Sequence, residues 1–226
     1  MDATPSLAAH IDHTLLRPDA TEAQIRQLCQ EAKDHHFAAV CVPPCYVALA
    51  AELLSAAPVA VCTVIGFPLG YATCGAKFRE AELALSDGAT ELDLVMNISA
   101  FKSGHDEQVR DEIQDLAELC SLTDATLKVI IETALLDEAE IARAATLCAE
   151  GGAHYVKTST GFASRGASFE DVKILRRTLP DDVRIKAAGG IRSRAAALAL
   201  LAAGADRLGS SNSLGLLTEH DDVPAA

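Results

Sequence analysis

From residue 21 onward the chain alternates short runs of apolar, often β-branched residues with longer stretches in which apolar positions recur every three or four residues. The first spacing suits a buried strand and the second an amphipathic helix. Eight strands are predicted, at 11–15, 38–42, 59–65, 91–95, 127–131, 155–158, 184–187 and 207–209. The helices between them carry start signals: Thr21 with Gln24 precedes Ile25, Leu28, Cys29 and Ala32, and Asp137 with Glu140 precedes Ile141, Ala145 and Cys148. Each pairs an N-cap with a side chain three residues on that can reach back to the cap's amide. Ser168 and Ser193 are predicted to open two more helices. Strands and helices alternating without a linker describe repeated βα units on a parallel sheet. Eight units over 226 residues give about 28 residues each, so a single-domain (β/α)8 TIM barrel over residues 1–226 is expected rather than an open doubly wound sheet.

A repeat supports closure. Three predicted helices end in a Gly-Ala step followed by a strand, at Gly88-Ala89, Gly152-Ala153 and Gly204-Ala205, and the fifth residue after each Gly is Asp93, Lys157 and Gly209. These fall in predicted strands 4, 6 and 8. Alternate strands of such a barrel feed one layer of inward side chains, so Asp93 and Lys157 are expected in one layer near the C-terminal mouth.

Composition narrows the class. Half the residues are hydrophobic and 23% are charged, which suits a soluble globular domain, and no apolar run approaches the roughly 18 residues of a membrane span. The first ten residues lack Lys and Arg, unlike a secretory leader. A formal net charge of −13 disfavours nucleic acid and anionic membranes, and the absence of Trp leaves little for base stacking. Seven cysteines, among them Cys29, Cys62, Cys120 and Cys148 in apolar stretches, read as buried thiols in a reducing cytoplasm. Cys41 and Cys45 flank Pro43 and Pro44 without a completing His set, so no metal site is expected. A homo-oligomer, dimer or tetramer, stays open.

Chemistry enters with two lysines inside predicted barrel strands, Lys157 and Lys186. Lysine is seldom buried without a partner or a task. One βα unit separates the two, which places them on neighbouring strands where each positive charge disfavours the other. Only a neutral amine attacks a carbonyl, and at a pKa of about 10.4 fewer than about one lysine in a thousand is neutral at pH 7. Bringing the pKa near 7 takes about 4–5 kcal/mol, which burial and one adjacent ammonium can supply. The competing reading is structural: the lysines bind phosphate or pair with Asp93 and Glu132. Asp93 is open in the same way, as a proton carrier through water or a neutralising partner.

Gly189 and Gly190 follow predicted strand 7, and Gly209-Ser210-Ser211 follows strand 8 just before a short helical stretch, the two loops on which such barrels commonly hold phosphate. Gly161, after Thr158-Ser159-Thr160, can add another amide. His35 and His36 are expected to be solvated, and His10 and His13 flank the first strand without visible partners, so no histidine is assigned a catalytic role. Hydrolase, NTPase and dinucleotide motifs are absent.

The string Val156-Lys157-Thr158-Ser159-Thr160-Gly161-Phe162 resembles the Schiff-base motif of deoxyribose-phosphate aldolases. So, in the same order along the chain, do Ile11-Asp12-His13-Thr14-Leu15-Leu16, Cys62 to Pro68, Glu91 to Asn97, Lys128 to Thr133, Lys186 to Arg192 and Arg207 to Ser211. The resemblance implies that Lys157 forms an imine, that Lys186 perturbs it and assists proton transfer, and that Asp93 activates a water. It further implies substrate contacts at Asp12, Thr14, Thr160, Gly161, Gly189, Gly190, Ser210 and Ser211, with no metal or organic cofactor. The implied reaction is reversible cleavage of 2-deoxy-D-ribose 5-phosphate to acetaldehyde and D-glyceraldehyde 3-phosphate. Phe162 stands where some members have a phosphate-binding lysine, and the chain ends Val223-Pro-Ala-Ala where some end in tyrosine. Two alternatives remain: another lysine-dependent or transaldolase-like lyase, and a non-catalytic phosphate-binding barrel. Loss of Asp93, Lys157 or Lys186 would have favoured the last.

Overall fold

In the computed structural model, which describes residues 6–218, eight parallel strands close in sequence order into one barrel. They are β1 (Ile11–Thr14), β2 (Ala39–Val42), β3 (Ala60–Ile65), β4 (Glu91–Val95), β5 (Thr126–Ile130), β6 (Tyr155–Lys157), β7 (Arg184–Ala188) and β8 (Arg207–Ser210). All eight predicted strands are present, with ends shifted by a residue or so, because a strand extends only as far as its neighbours supply ladder partners. Around them run α1 (Glu22–His35), α2 (Val47–Leu54), α3 (Cys74–Ser86), a short α4 (Ile98–Lys102), α5 (Asp106–Ser121), α6 (Glu138–Glu150), α7 (Phe169–Thr178), α8 (Arg194–Ala202) and α9 (Ser213–Thr218).

The helix starts follow from side-chain chemistry. Thr21 and Asp137 form complete capping boxes with Gln24 and Glu140, and Ser168 and Ser193 accept from the amides of Asp171 and Ala196. Past α3, α6 and α8, Gly88, Gly152 and Gly204 take left-handed φ of 102°, 80° and 114°, one residue beyond the cap. That conformation is cheap for glycine and is what turns each helix into the next strand.

Strand alternation divides the interior in two. Ile11, Leu92, Leu94, Leu127, Val129, Val156, Ile185 and Leu208 join the large apolar core between barrel and helices. Inside the barrel, Ala39, Cys41, Cys62 and Val64 form a small apolar cluster on the β2–β3 side. The lumen also holds a charged set, with Asp12, Glu91, Asp93, Lys128, Lys157 and Lys186 all buried. The seven cysteines are free, and Cys29, Cys62, Cys120 and Cys148 are buried as expected. Burial pushes the Cys29 thiol up to about 11 and that of Cys120 up to about 12, which keeps both protonated and inert. Among the described residues no helix is long and apolar enough to cross a membrane.

Candidate active site

The barrel's tilt assembles the centre. In the ladder Asp93 pairs with Lys128 and Lys128 with Tyr155, so Lys157 lies two residues further along β6. Strand tilt compensates for that offset across two strands, and the side chains meet in one layer. Lys157 Nζ donates to Asp93 Oδ2 across 2.7 Å, and Lys186 Nζ donates to the same oxygen across 2.7 Å. Lys157 and Lys186 are ladder partners on β6 and β7, as their spacing predicted.

The other oxygen of Asp93 is also engaged. Oδ1 accepts from Lys128 Nζ at 2.9 Å and from the Cys62 thiol at 3.2 Å. Lys128 pairs in addition with Glu91 at 2.6 Å and lies 3.7 Å from Asp12. Asp12 binds Lys186, and it accepts from Arg207 at 2.6 Å. Among the described residues the cluster therefore joins four cations, Lys128, Lys157, Lys186 and Arg207, to three carboxylates, Asp12, Glu91 and Asp93. Burial works to raise the Asp93 carboxyl, but the ammoniums of Lys128, Lys157 and Lys186 outweigh it and hold Asp93 well below the usual carboxylate range. Burial likewise opposes the charge on Lys186, and the carboxylates of Asp12 and Asp93 overcome it, so Lys186 stays an ammonium. Asp12 is held low in spite of its burial, chiefly by Lys186.

Above the cluster opens a cleft of about 630 Å³ at the C-terminal mouth of the barrel. Its walls come from the C-terminal ends of four strands and the segments after them and include Thr14, Arg17, Lys157, Thr160, Gly161, Phe162, Gly189, Gly190, Arg192, Ser210 and Ser211. Among the described residues Lys157 is the lysine of the cluster that lines the cleft. Lys186 and Asp93 lie beneath it, fully buried. The structure thus brings Thr14, Thr160, Gly161, Gly189, Gly190, Ser210 and Ser211, all expected near the substrate, to one cleft. Asp12, expected near the substrate, is fully buried next to Thr14 at the cleft and is held in the barrel floor by Lys186 and Arg207.

Some participants were not singled out in the sequence. Lys128, Glu91 and Arg207 complete the charged floor, and Arg17 and Arg192 add guanidiniums to the cleft. Lys128 was detectable, since two-residue alternation along Thr126–Ile130 points it inward with the other wall lysines. His13 lies within β1 rather than beside it, between Glu31 at 2.7 Å and Ser213 at 3.0 Å, and His10 bonds the carbonyl of Asp206. His35 and His36 are exposed. Donor atoms of Cys41, Cys62 and Asp93, and of Asp12, Cys62 and Glu91, lie close enough to hold a metal ion. A cation there would have to displace the Lys128 ammonium from Asp93 and Glu91, and would meet a Cys62 thiol that burial keeps protonated.

The model of the DeoC/LacD family of aldolases matches residues 7–217. The chain belongs to this family. Two aldolases of the family show how close the likeness runs. Deoxyribose-phosphate aldolase of Desulfitobacterium hafniense is 49% identical over 95% of this chain and 99% of its own, and that of Brevibacillus brevis is 48% identical over 92% and 94%. Among solved structures, the tetrameric deoxyribose phosphate aldolase of Aeropyrum pernix superposes with a TM-score of 0.88 at 38% identity, covering 93% of this aldolase and 89% of its own chain.

Proposed function

We propose that this aldolase, acting as one domain over its whole length, reversibly cleaves 2-deoxy-D-ribose 5-phosphate to acetaldehyde and D-glyceraldehyde 3-phosphate through an imine on Lys157. One observation carries the reading: Lys157 is held by one carboxylate, faces the cleft, and belongs to a cluster with one more cation than it has carboxylates. Uncompensated charge is costly in a buried site. Of the cluster's lysines Lys157 is held by the fewest carboxylates, since Lys128 faces three and Lys186 two.

The Lys157 amine attacks the C1 aldehyde and water leaves, giving a protonated imine. That iminium accepts the electron pair of the C2–C3 bond as the bond breaks, while the C3 hydroxyl gives up its proton and becomes the aldehyde of glyceraldehyde 3-phosphate. The enamine left on Lys157 then takes a proton at C2, and hydrolysis of the new imine releases acetaldehyde. Asp93, anionic between Lys157 and Lys186, is the group placed to pass these protons, directly or through water, and Lys186, a fixed ammonium on the same oxygen, assists by orienting it. Gly161, Gly189, Gly190, Ser210 and Ser211 supply the phosphate cradle, with Thr14 and Thr160 beside the carbon chain and Arg17 and Arg192 contributing positive charge. A homo-oligomer in the cytoplasm is proposed as well, in line with the tetramer of the A. pernix relative.

Borohydride added with acetaldehyde should trap a reduced two-carbon adduct on Lys157, located by peptide mass spectrometry, and a coupled assay should detect glyceraldehyde 3-phosphate release from the sugar phosphate. An adduct on another lysine, or none, would sink the imine. Light scattering in solution tests the oligomer.

A further inference from the structure

Glu132 is a buried carboxylate that the chemistry above does not use. It follows β5 with a left-handed φ of 52°, an uncommon backbone state for a residue with a side chain, and only 3% of it is exposed. Its Oε2 accepts both the amide of Thr160, at 3.1 Å, and the Thr160 hydroxyl, at 2.5 Å. Its Oε1 is buried and has no protein donor among the described residues. A half-satisfied buried carboxylate is an expensive way to hold a loop, and such exceptions concentrate where function requires them. The expense has a specific product. A hydroxyl has one proton and two lone pairs, and the Thr160 proton is committed to Glu132. One Thr160 lone pair accepts the amide of Phe162 at 3.0 Å, the other has no donor among the described residues, and Thr160 lines the cleft.

We propose that Glu132 is a positioning and specificity-determining residue, which fixes the Thr160 hydroxyl as a pure acceptor so that it selects substrates presenting a hydroxyl donor. This rests on the proposed reaction. Thr160 stands three residues beyond Lys157 and directly before Gly161, so it borders the stretch between the imine carbon and the phosphate loops. Stripped of its donor, Thr160 cannot serve a phosphate or a carbonyl oxygen. It can accept from the C4 hydroxyl of the sugar, which is the C2 hydroxyl of glyceraldehyde 3-phosphate in the synthetic direction.

The test compares two acceptor aldehydes with acetaldehyde as donor: glyceraldehyde 3-phosphate, and 3-oxopropyl phosphate, which lacks the C2 hydroxyl. The wild-type enzyme should favour the first by at least about tenfold in kcat/KM, as expected where a buried acceptor would otherwise lose its partner. Glu132→Gln keeps an acceptor toward Thr160 and should retain the preference. Glu132→Leu frees the hydroxyl to rotate and donate, and should bring the ratio to within about threefold. A purely structural lesion would slow both acceptors alike and leave the ratio intact, which would overturn the proposal. If Glu132→Leu does not fold, Thr160→Val decides: loss of the preference supports the proposal and its retention overturns it. A wild-type ratio near one overturns it too, whereas failure to join either aldehyde to acetaldehyde removes the reaction itself and this inference with it.

Discussion

Lys128 donates to Asp93 across 2.9 Å from the side of the carboxylate opposite Lys157, so Asp93 is gripped through both oxygens. Lys128 faces three carboxylates and is fully buried; burial alone would lower its pKa, and the combined attraction of Asp93, Glu91 and Asp12 holds it above the usual lysine value instead. Removing one partner of a buried charge set strands the others. Lys128→Met is therefore expected to cost about 3–5 kcal/mol of stability, seen in urea unfolding. It should also reduce kcat, because Asp93 is then free to rotate away from Lys157. A variant with unchanged stability and kcat would show that Lys128 merely fills the lumen.

Lys186→Leu tests the shared oxygen. Lys186 takes half of Asp93 Oδ2 and stands beside Lys157 as a fixed positive charge. Its removal takes away the like charge that stands beside Lys157 on the neighbouring strand. The residual rate of imine trapping should then rise only at higher pH than in the wild type. A trapping profile superimposable on the wild-type curve would assign Lys186 another task.

How far the sequence reached can be judged on these lysines. The barrel was legible because buried strands, capping boxes and the Gly-Ala steps are local signals that repeat. Lys157, Lys186 and Asp93 were legible because charge inside an apolar strand is conspicuous. What local pattern cannot reveal is which oxygen each charge shares. The anchoring of Asp12 in the floor depends on Arg207, 195 positions away, and on barrel closure between β1 and β8. Glu132 looked like a partner for the lysines and instead holds Thr160, since a left-handed turn after β5 takes it out of the strand's alternation. The expectation about the tail at Val223 lies outside the described residues.

Phe162 makes a sharper prediction about phosphate. It lines the cleft, is 56% exposed, and packs edge-on against Phe67 with ring centroids 5.2 Å apart. Phe162→Lys would add a cation at the mouth near Arg192, and an exposed ion pair contributes about 0.5–1 kcal/mol. KM for the phosphorylated sugar should drop about two- to fivefold relative to that for unphosphorylated deoxyribose, and the difference should shrink in high salt. If both KM values move together, the change acts on the shape of the mouth rather than on its charge.

His13 should make the fold acid-sensitive. Its ring lies buried between Glu31 on α1 and Ser213 on α9, 5.0 Å from the Phe37 ring, with His35 also nearby. Burial lowers its pKa below the usual value of 6.5, and the bond and charge of Glu31 offset this only in part, while His35 adds to the lowering. The unfolded chain therefore binds the proton more readily than the folded one. Stability contributed by neutral His13 is complete above about pH 6.5, declines as the pH falls below that value, and is fully lost beneath the folded pKa. A single such group changes stability by at most about 1.4 kcal/mol per pH unit within that window. His13→Gln can still donate to Glu31 but cannot take up a proton. Urea unfolding between pH 8 and 5 should accordingly show wild-type stability falling more steeply with acid than that of the variant, with the two slopes matching above pH 7. Parallel curves down to pH 5 would mean that Glu31 compensates the imidazolium in full.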